Sequence, residues 1–324
     1  MMGHMLVLSE NDVRAVLDME SCVAAMEEAL AAFARGELAM PLRPVFRPPS
    51  VETLLGLMPA YRAGPEPLYS LKEIVIAPAN SARGLDPHQG AVLLHDGETG
   101  VLVAILNASA ITEIRTAAVS GVATKLLARP GARRVAILGS GVQGRSHAEA
   151  MRTLVDDIEL RIWSRTPAHA EALALEAHAV VCSTVEEALA GAEVVCTCTA
   201  AREPIVRRAW LAEGAHVNAV GSSVPSAREL DGDVVAEASL FVDRRESTVN
   251  ESGDWLGAAA EHRLDAAHIR AELGELLAGT AEGRRDDTEL TVFKSLGLAV
   301  EDLAAAALCV ERARERGLGV EVDF

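Results

Sequence analysis

Aromatic residues are scarce: 3 Trp, 2 Tyr and 5 Phe among 324 residues. Alanine, valine and leucine must therefore do most of the packing. Basic residues are the second shortage. Lys and Arg number 30 against 47 Asp and Glu, a formal net charge of −17, and a surface this acidic repels phosphate backbones. No nucleic-acid partner is expected, and any anion site must be built locally from a few cations. The five cysteines, Cys22, Cys182, Cys196, Cys198 and Cys309, are odd in number and scattered, which excludes a disulfide framework. They read as buried, reduced thiols. Cys196 and Cys198 point the same way in a strand, but no His or Cys at ligand spacing completes a metal site, so no metal is expected. A signal peptide and an apolar run long enough to span a membrane are also missing, so no membrane partner is expected and the cytoplasm is the expected location. Met2-Gly3-His4-Met5 reads as a cloning remnant and carries no argument.

What is present fits a globular protein with a sizeable core: half the residues are hydrophobic and 24% are charged. The length predicts two domains. Ser9 caps a short helix, and the spacing over Met19 to Arg35 predicts a second, ending at Gly36. Residues 41–106 carry prolines between short β-branched runs such as Leu71 to Ala77. Residues 91–94 and 101–106 flank Asp96-Gly97-Glu98-Thr99-Gly100 as an antiparallel hairpin. Ser109 opens a long helix to about Ala128. From Arg133 strands and helices alternate, with strands at 135–138, 158–163, 193–198, 215–220 and 240–243. That rhythm predicts an α/β fold with a doubly wound parallel sheet. A last helix is expected from Ser295 to Arg316, after Leu290-Thr291-Val292-Phe293 and before Gly317.

Gly139-Ser140-Gly141-Val142-Gln143-Gly144 follows an apolar strand and opens a helix, the context of a dinucleotide-binding loop. Gly139 allows the tight turn, Gly141 lets backbone approach a pyrophosphate, and Gly144 lets helix and strand pack closely. The end of the next strand lacks the carboxylate that would bind a ribose 2′-hydroxyl. Ser164, Arg165 and Thr166 stand there, and an arginine with two hydroxyls suits a 2′-phosphate. NADPH is the expected cofactor, with NADH as second choice. Thr197 and Thr199 are counted with the loop as cofactor residues.

These strings, with Ile114-Arg115-Thr116-Ala117-Ala118-Val119-Ser120, Asn218-Ala219-Val220-Gly221-Ser222, Arg228-Glu229-Leu230-Asp231, Glu251-Ser252-Gly253-Asp254 and Thr291-Val292-Phe293-Lys294-Ser295-Leu296-Gly297, resemble the ornithine cyclodeaminase/μ-crystallin family over nearly the whole chain. The resemblance implies a homodimer and a Rossmann domain, 121–292, inserted into an α+β substrate and dimerisation domain, 1–120 plus 293–324. It places the substrate at the domain interface. It implies that Lys72 is the catalytic lysine and Arg115 the substrate-binding arginine, with Arg43 as a second one. Alone, Lys72 and Arg43 read as solvated charges. Together the three suit an anion clamp, Arg offering a planar fork to a carboxylate and Lys a mobile proton.

Three markers of the cyclodeaminases are absent. Ser223 stands in place of a catalytic Asp, Gly56 in place of an ornithine-binding Glu, and Ser164 in place of the Asp that follows the second strand. The pattern is similar to the μ-crystallin branch, which includes NADPH-dependent ketimine reductases. The expected activity is reduction of the C=N bond of a small imino acid, Δ1-pyrroline-2-carboxylate or Δ1-piperideine-2-carboxylate. Ser223 and Ser295 are expected to border the substrate; Ser295 reads equally as a helix cap. His88 is a weaker candidate for the site border, and His147 reads as packing. Glu229 and Asp231 read as supports of the site loop, Asp231 equally as a helix cap. The competing readings are ornithine cyclodeaminase, an NADPH- and ligand-binding protein, and an amino acid dehydrogenase.

Overall fold

The computed structural model describes residues 4–86 and 88–324. Their contacts fall into two units: one runs to Arg115 and resumes at Leu298, and the other is Thr116–Gly297.

The first unit opens with β1 (His4–Leu8), α1 (Glu10–Val16) and α2 (Met19–Ala34). Met5 is buried in β1, so the stretch set aside as a remnant is structural there, while Met2 and Gly3 lie outside the described residues. Ser9 caps α1 reciprocally: its hydroxyl accepts from the Asp12 N–H, and the Asp12 carboxylate accepts from the Ser9 N–H. Gly36 follows α2 at φ 78°, a left-handed turn that glycine adopts without strain.

Then come β2 (Leu38–Ala39), β3 (Val45–Phe46), β4 (Leu54–Arg62), β5 (Leu68–Ile76), β6 (His88–Asp96) and β7 (Leu102–Asn107). β4 to β7 form an antiparallel meander, and β6 with β7 is the expected hairpin. The prolines suggested shorter runs, yet β4 and β5 each extend over 9 residues, with Pro59 inside β4 opposite Leu71. Alternation puts Ser70, Lys72 and Ile74 on one buried face, in a sheet layer with Met58, Val92 and Leu106. The helix α3 (Ala108–Leu127) follows, and the boundary between the units falls inside it.

The second unit alternates strand and helix. Its strands are β8 (Arg134–Leu138), β9 (Glu159–Trp163), β10 (Val180–Val181), β11 (Val194–Thr197), β12 (His216–Ala219), β13 (Ser239–Val242), β14 (Ile269–Glu272) and β15 (Thr291–Lys294). They pair in parallel in the order β10-β9-β8-β11-β12-β15-β13-β14. This is the expected doubly wound sheet. The order changes direction between β8 and β11, which opens a crevice beyond the carboxyl ends of those strands. Helices α4 (Val142–Leu154), α5 (Pro167–Ala177), α6 (Val185–Leu189), α7 (Gly232–Glu237), α8 (Arg245–Glu251), α9 (Gly253–His262) and α10 (Leu273–Leu277) link the strands.

The chain returns to the first unit with α11 (Ala299–Arg316) and β16 (Val320–Asp323). α11 packs on α2 and across β4, β5 and β6, and β16 pairs with β1. The expected start of this helix at Ser295 is corrected to Ala299. Leu298 holds the cap position, so Ser295 is not a helix cap. Among the described residues no helix is long and apolar enough to cross a membrane. All five cysteines are free; Cys198 is half-buried where full burial was expected.

Candidate active site

Lys72 sits mid-strand on β5 between Met58 of β4 and Val92 of β6. It is 2% exposed, so its ammonium needs buried partners. Asp302 of α11 supplies them: Nζ lies 2.9 Å from Oδ1 and 2.8 Å from Oδ2. Lys72 also donates to Thr112 Oγ1 at 3.3 Å. Arg115 of α3 donates through Nε to the same Asp302 Oδ1 at 2.9 Å, and through a terminal nitrogen to Glu301 Oε2 at 2.7 Å. Two buried cations thus share one carboxylate, and a second carboxylate steadies the arginine. Hydrogen-bonded pairing of this kind makes buried charge tolerable.

Burial pushes the Lys72 ammonium down to about 8. The Asp302 carboxylate opposes that shift, while the charges of Arg115 and Arg43 add to it. Arg43, half-buried between β2 and β3, therefore belongs to the same electrostatic cluster. His88 is exposed, yet desolvation by the protein around it and the charge of Lys72 hold its imidazole below the usual value. The His88 backbone is pinned on both sides: its N–H donates to Asp86 and its carbonyl accepts from Ser109.

Sequence reading missed Asp302 and Glu301. The signal was present: Ala299, Leu303, Ala306, Val310 and Ala313 mark the buried face of α11, and Asp302 falls among them. An acid in such a stripe demands a buried cation.

In the second unit the glycine loop is shaped as expected. The Gly139 N–H donates to the Trp163 carbonyl at 2.8 Å, tying the end of β8 to that of β9. Gly139 has φ 116°, and a Cβ there would lie 2.4 Å from the Cys198 carbonyl oxygen. At Gly144 a Cβ would lie 2.1 Å from the Gly139 carbonyl oxygen, so α4 can approach β8 only because the side chain is absent. Gly141 is at the cap position of α4, and a Cβ there would meet nothing within 4 Å. Open space at a helix N-terminus, with backbone N–H groups lacking intrahelical acceptors, fits a dinucleotide pyrophosphate. Val142 is exposed and Gln143 half-buried at this opening. Ser140 donates to Ser164 Oγ at 2.8 Å. Arg165 and Thr166 are exposed at the start of α5, which Thr166 precedes without a side-chain cap.

Thr197 and Thr199 converge on Glu229. Their hydroxyls each donate to its carboxylate at 2.6 Å, as do the N–H groups of Thr199 and Gly221 at 2.7 Å. Glu229 thereby ties the carboxyl ends of β11 and β12 together, the supporting role expected of it. Thr197 is fully buried and gives its hydroxyl to Glu229; Thr199 is half-buried. Asp231 is the cap of α7, accepting from the Val234 N–H. Behind Glu229, Asp254 accepts from the N–H groups of Glu229 and Leu230 and lies 3.2 Å from Lys294 Nζ. Ser223 is exposed after β12. Ser295 is buried at the end of β15, where its N–H donates to the Ala219 carbonyl at 3.0 Å. His147 is packed inside the unit, with its ring nitrogens against Ser120 Oγ at 2.8 Å and the Gln143 carbonyl at 2.7 Å.

A model of the ornithine cyclodeaminase/mu-crystallin family matches residues 4–317. Ketimine reductase mu-crystallin of Mus musculus is 43% identical over 288 residues, 87% of this chain and 89% of the relative. The solved structure of Thermococcus litoralis Δ1-pyrroline-2-carboxylate reductase in complex with NADH and L-proline is 35% identical, with a TM-score of 0.93 over 98% of this chain and 100% of that one. An archaeal alanine dehydrogenase dimer with bound NAD is 30% identical, with a TM-score of 0.93 over 99% of each chain.

Proposed function

The chain belongs to the ornithine cyclodeaminase/mu-crystallin family, and from that premise we propose that it reduces the C=N bond of a small 2-imino carboxylate with NAD(P)H. The proposed substrates are the cyclic ketimines Δ1-pyrroline-2-carboxylate and Δ1-piperideine-2-carboxylate, giving proline and pipecolate. The observation that carries this reading is the buried cluster of Lys72, Arg115, Asp302 and Glu301. Arg115 and Arg43 bind the substrate carboxylate. Lys72, brought down to about 8 by burial, exchanges a proton near neutral pH and supplies it to the imine nitrogen. A cationic iminium accepts hydride far more readily than a neutral imine. When bound, the nicotinamide supplies that hydride. The family resemblance assigns Ser223 and Ser295 to the substrate as well.

On this reading the first unit is the substrate-binding and dimerisation domain and the second the Rossmann domain. The cofactor residues are Gly139, Ser140, Gly141, Val142, Gln143, Gly144, Ser164, Arg165, Thr166, Thr197 and Thr199. NADPH is preferred, because Ser164 offers no carboxylate to a ribose diol and Arg165 suits a 2′-phosphate. The protein is a homodimer. The sheet face opposite Lys72 leaves Tyr69 and Val75 exposed and Leu57, Leu71 and Leu93 half-covered around the exposed Glu73, a largely apolar surface that a second copy would bury. A single-chain mass in sedimentation would contradict the dimer.

The test is an NAD(P)H-oxidation assay over cyclic ketimines and over 2-oxo acids with ammonia or methylamine. Turnover is expected on the cyclic ketimines, faster with NADPH than with NADH. Arg165→Ala should lower the ratio of the two kcat/KM values by about tenfold or more, the worth of a charge-assisted phosphate contact. Turnover confined to open-chain substrates, tight cofactor binding without oxidation, or ammonia release from ornithine would each overturn the reading. An Arg165→Ala variant that kept the full cofactor preference would remove that residue from the account.

A further inference from the structure

We infer that Asp302 is a positioning residue that sets both the place and the protonation of Lys72, while Glu301 sets only the place of Arg115. The inference rests on the proposed reductase reading for its functional meaning, but its physical content does not depend on turnover. Asp302 and Glu301 are adjacent on α11 and both fully buried, yet their partners differ. Asp302 presents both oxygens to Lys72 Nζ, at 2.9 and 2.8 Å, and one of them also to Arg115 Nε at 2.9 Å. Glu301 holds Arg115 at 2.7 Å.

The groups facing Lys72 from each surrounding element are few. Met58 of β4 and Val92 of β6 flank it and carry no charge. Thr112 of α3 contributes a neutral hydroxyl. Arg115 and Arg43 bring positive charge, and the imidazole of His88 is held toward its neutral form. Asp302 is the anion that opposes burial and these cations in fixing the lysine charge. Its removal leaves the ammonium with the Thr112 hydroxyl as a partner and the charges of Arg115 and Arg43 against it, and the neutral amine becomes the favoured form. Arg115 would keep a carboxylate in Glu301, so its fork stays in place.

Protonation of Lys72 can be read directly, because the chain has lysine at positions 72, 125 and 294 only. Lysine labelled with 13C at Cε, with the Lys72 signal assigned by Lys72→Met, gives its titration by NMR. In the wild type a midpoint near 8 is expected, in line with the burial of the group. In Asp302→Asn, which keeps shape and loses charge, the midpoint should fall by about 1–3 pH units, the usual effect of an opposite charge at contact distance. Glu301→Gln should leave the midpoint in place and raise KM for the imino acid. The alkaline limb of kcat/KM should move with the NMR midpoint, and a shift between variants on one substrate cannot come from the substrate. Asp302→Glu keeps the charge and should hold the midpoint near the wild-type value, which serves if the asparagine variant does not fold.

An unmoved midpoint in Asp302→Asn, an equal shift in Glu301→Gln, or a shift in Asp302→Glu as large as in Asp302→Asn would overturn the inference. A wild type without imine turnover would sink the reductase reading and leave the NMR arm to decide the role of Asp302.

Discussion

Replacement of Lys72 by methionine is expected to lower kcat/KM for imine reduction by about 10²- to 10⁴-fold, the usual contribution of a positioned proton donor. Methionine fills the buried volume between Met58 and Val92 without charge. Asp302 keeps Arg115 as a partner, so the loss of stability should be smaller than the roughly 3–5 kcal/mol that follows when a buried ion loses its only partner. Rates near wild type in this variant would remove Lys72 from the reaction. Stability carries a second signature. The ammonium lies at about 8 in the folded chain against an ordinary 10.5. Between those values the unfolded chain binds more protons, so this group makes the fold more stable as pH rises. The rise should be absent in Lys72→Met, measured by denaturant unfolding across that range.

The second large effect is expected at Gly144. In Gly144→Ala a new Cβ would fall 2.1 Å from the Gly139 carbonyl oxygen, which is backbone and cannot rotate away. α4 must move off β8 by about an ångström or the loop must deform, and overpacking of this kind costs about 1–3 kcal/mol. The displaced element carries the N–H groups proposed to hold the pyrophosphate. NADPH affinity should therefore fall by about tenfold or more, beyond any change in melting temperature. Fluorescence titration with NADPH measures it, and an unchanged Kd would separate the loop from the cofactor. Gly141→Ala separates the two effects: a Cβ there meets no protein atom within 4 Å, so the fold should keep its stability, while the affinity for NADPH should fall because that space is the one proposed for the pyrophosphate.

What could be read from sequence follows from the range of the interactions involved. Five parallel strands of the second unit, β8, β9, β11, β12 and β13, were legible because strands buried on both faces are unbroken apolar runs, as in Val135-Ala136-Ile137-Leu138, while β14 and β15 were not called as strands. The Ser9 and Asp231 caps and the Gly36 and Gly317 stops were legible because capping acts within a few residues. β10, with 2 residues, and the paired ends β1 and β16 were not, because strands so short or so edge-placed exist through pairing alone. The start of α11 was misread for a related reason. Asp243 accepts the N–H groups of Leu296 and Gly297, at 2.5 and 2.8 Å, and holds the chain extended past Ser295. That partner is 53 residues distant from Leu296. The site divides in the same way. Lys72 and Arg115 were assigned through resemblance, but Asp302 and Glu301 lie some 190 to 230 residues away along the chain, and only the fold brings them together. The bond from Thr197 to Glu229 was not legible, because a threonine at a strand end gives no sign of which partner takes its hydroxyl.

The most direct measurement of the central claim follows one atom. Wild-type protein is incubated with Δ1-pyrroline-2-carboxylate and NADPH deuterated at the nicotinamide C4, each C4 epimer in turn, and the product is analysed by mass spectrometry and NMR. The account predicts proline carrying one deuterium at C2 from one epimer and none from the other, with one NADPH consumed per proline formed. Proline without deuterium from either epimer, or bound NADPH that stays unoxidised in the presence of the imine, would contradict it.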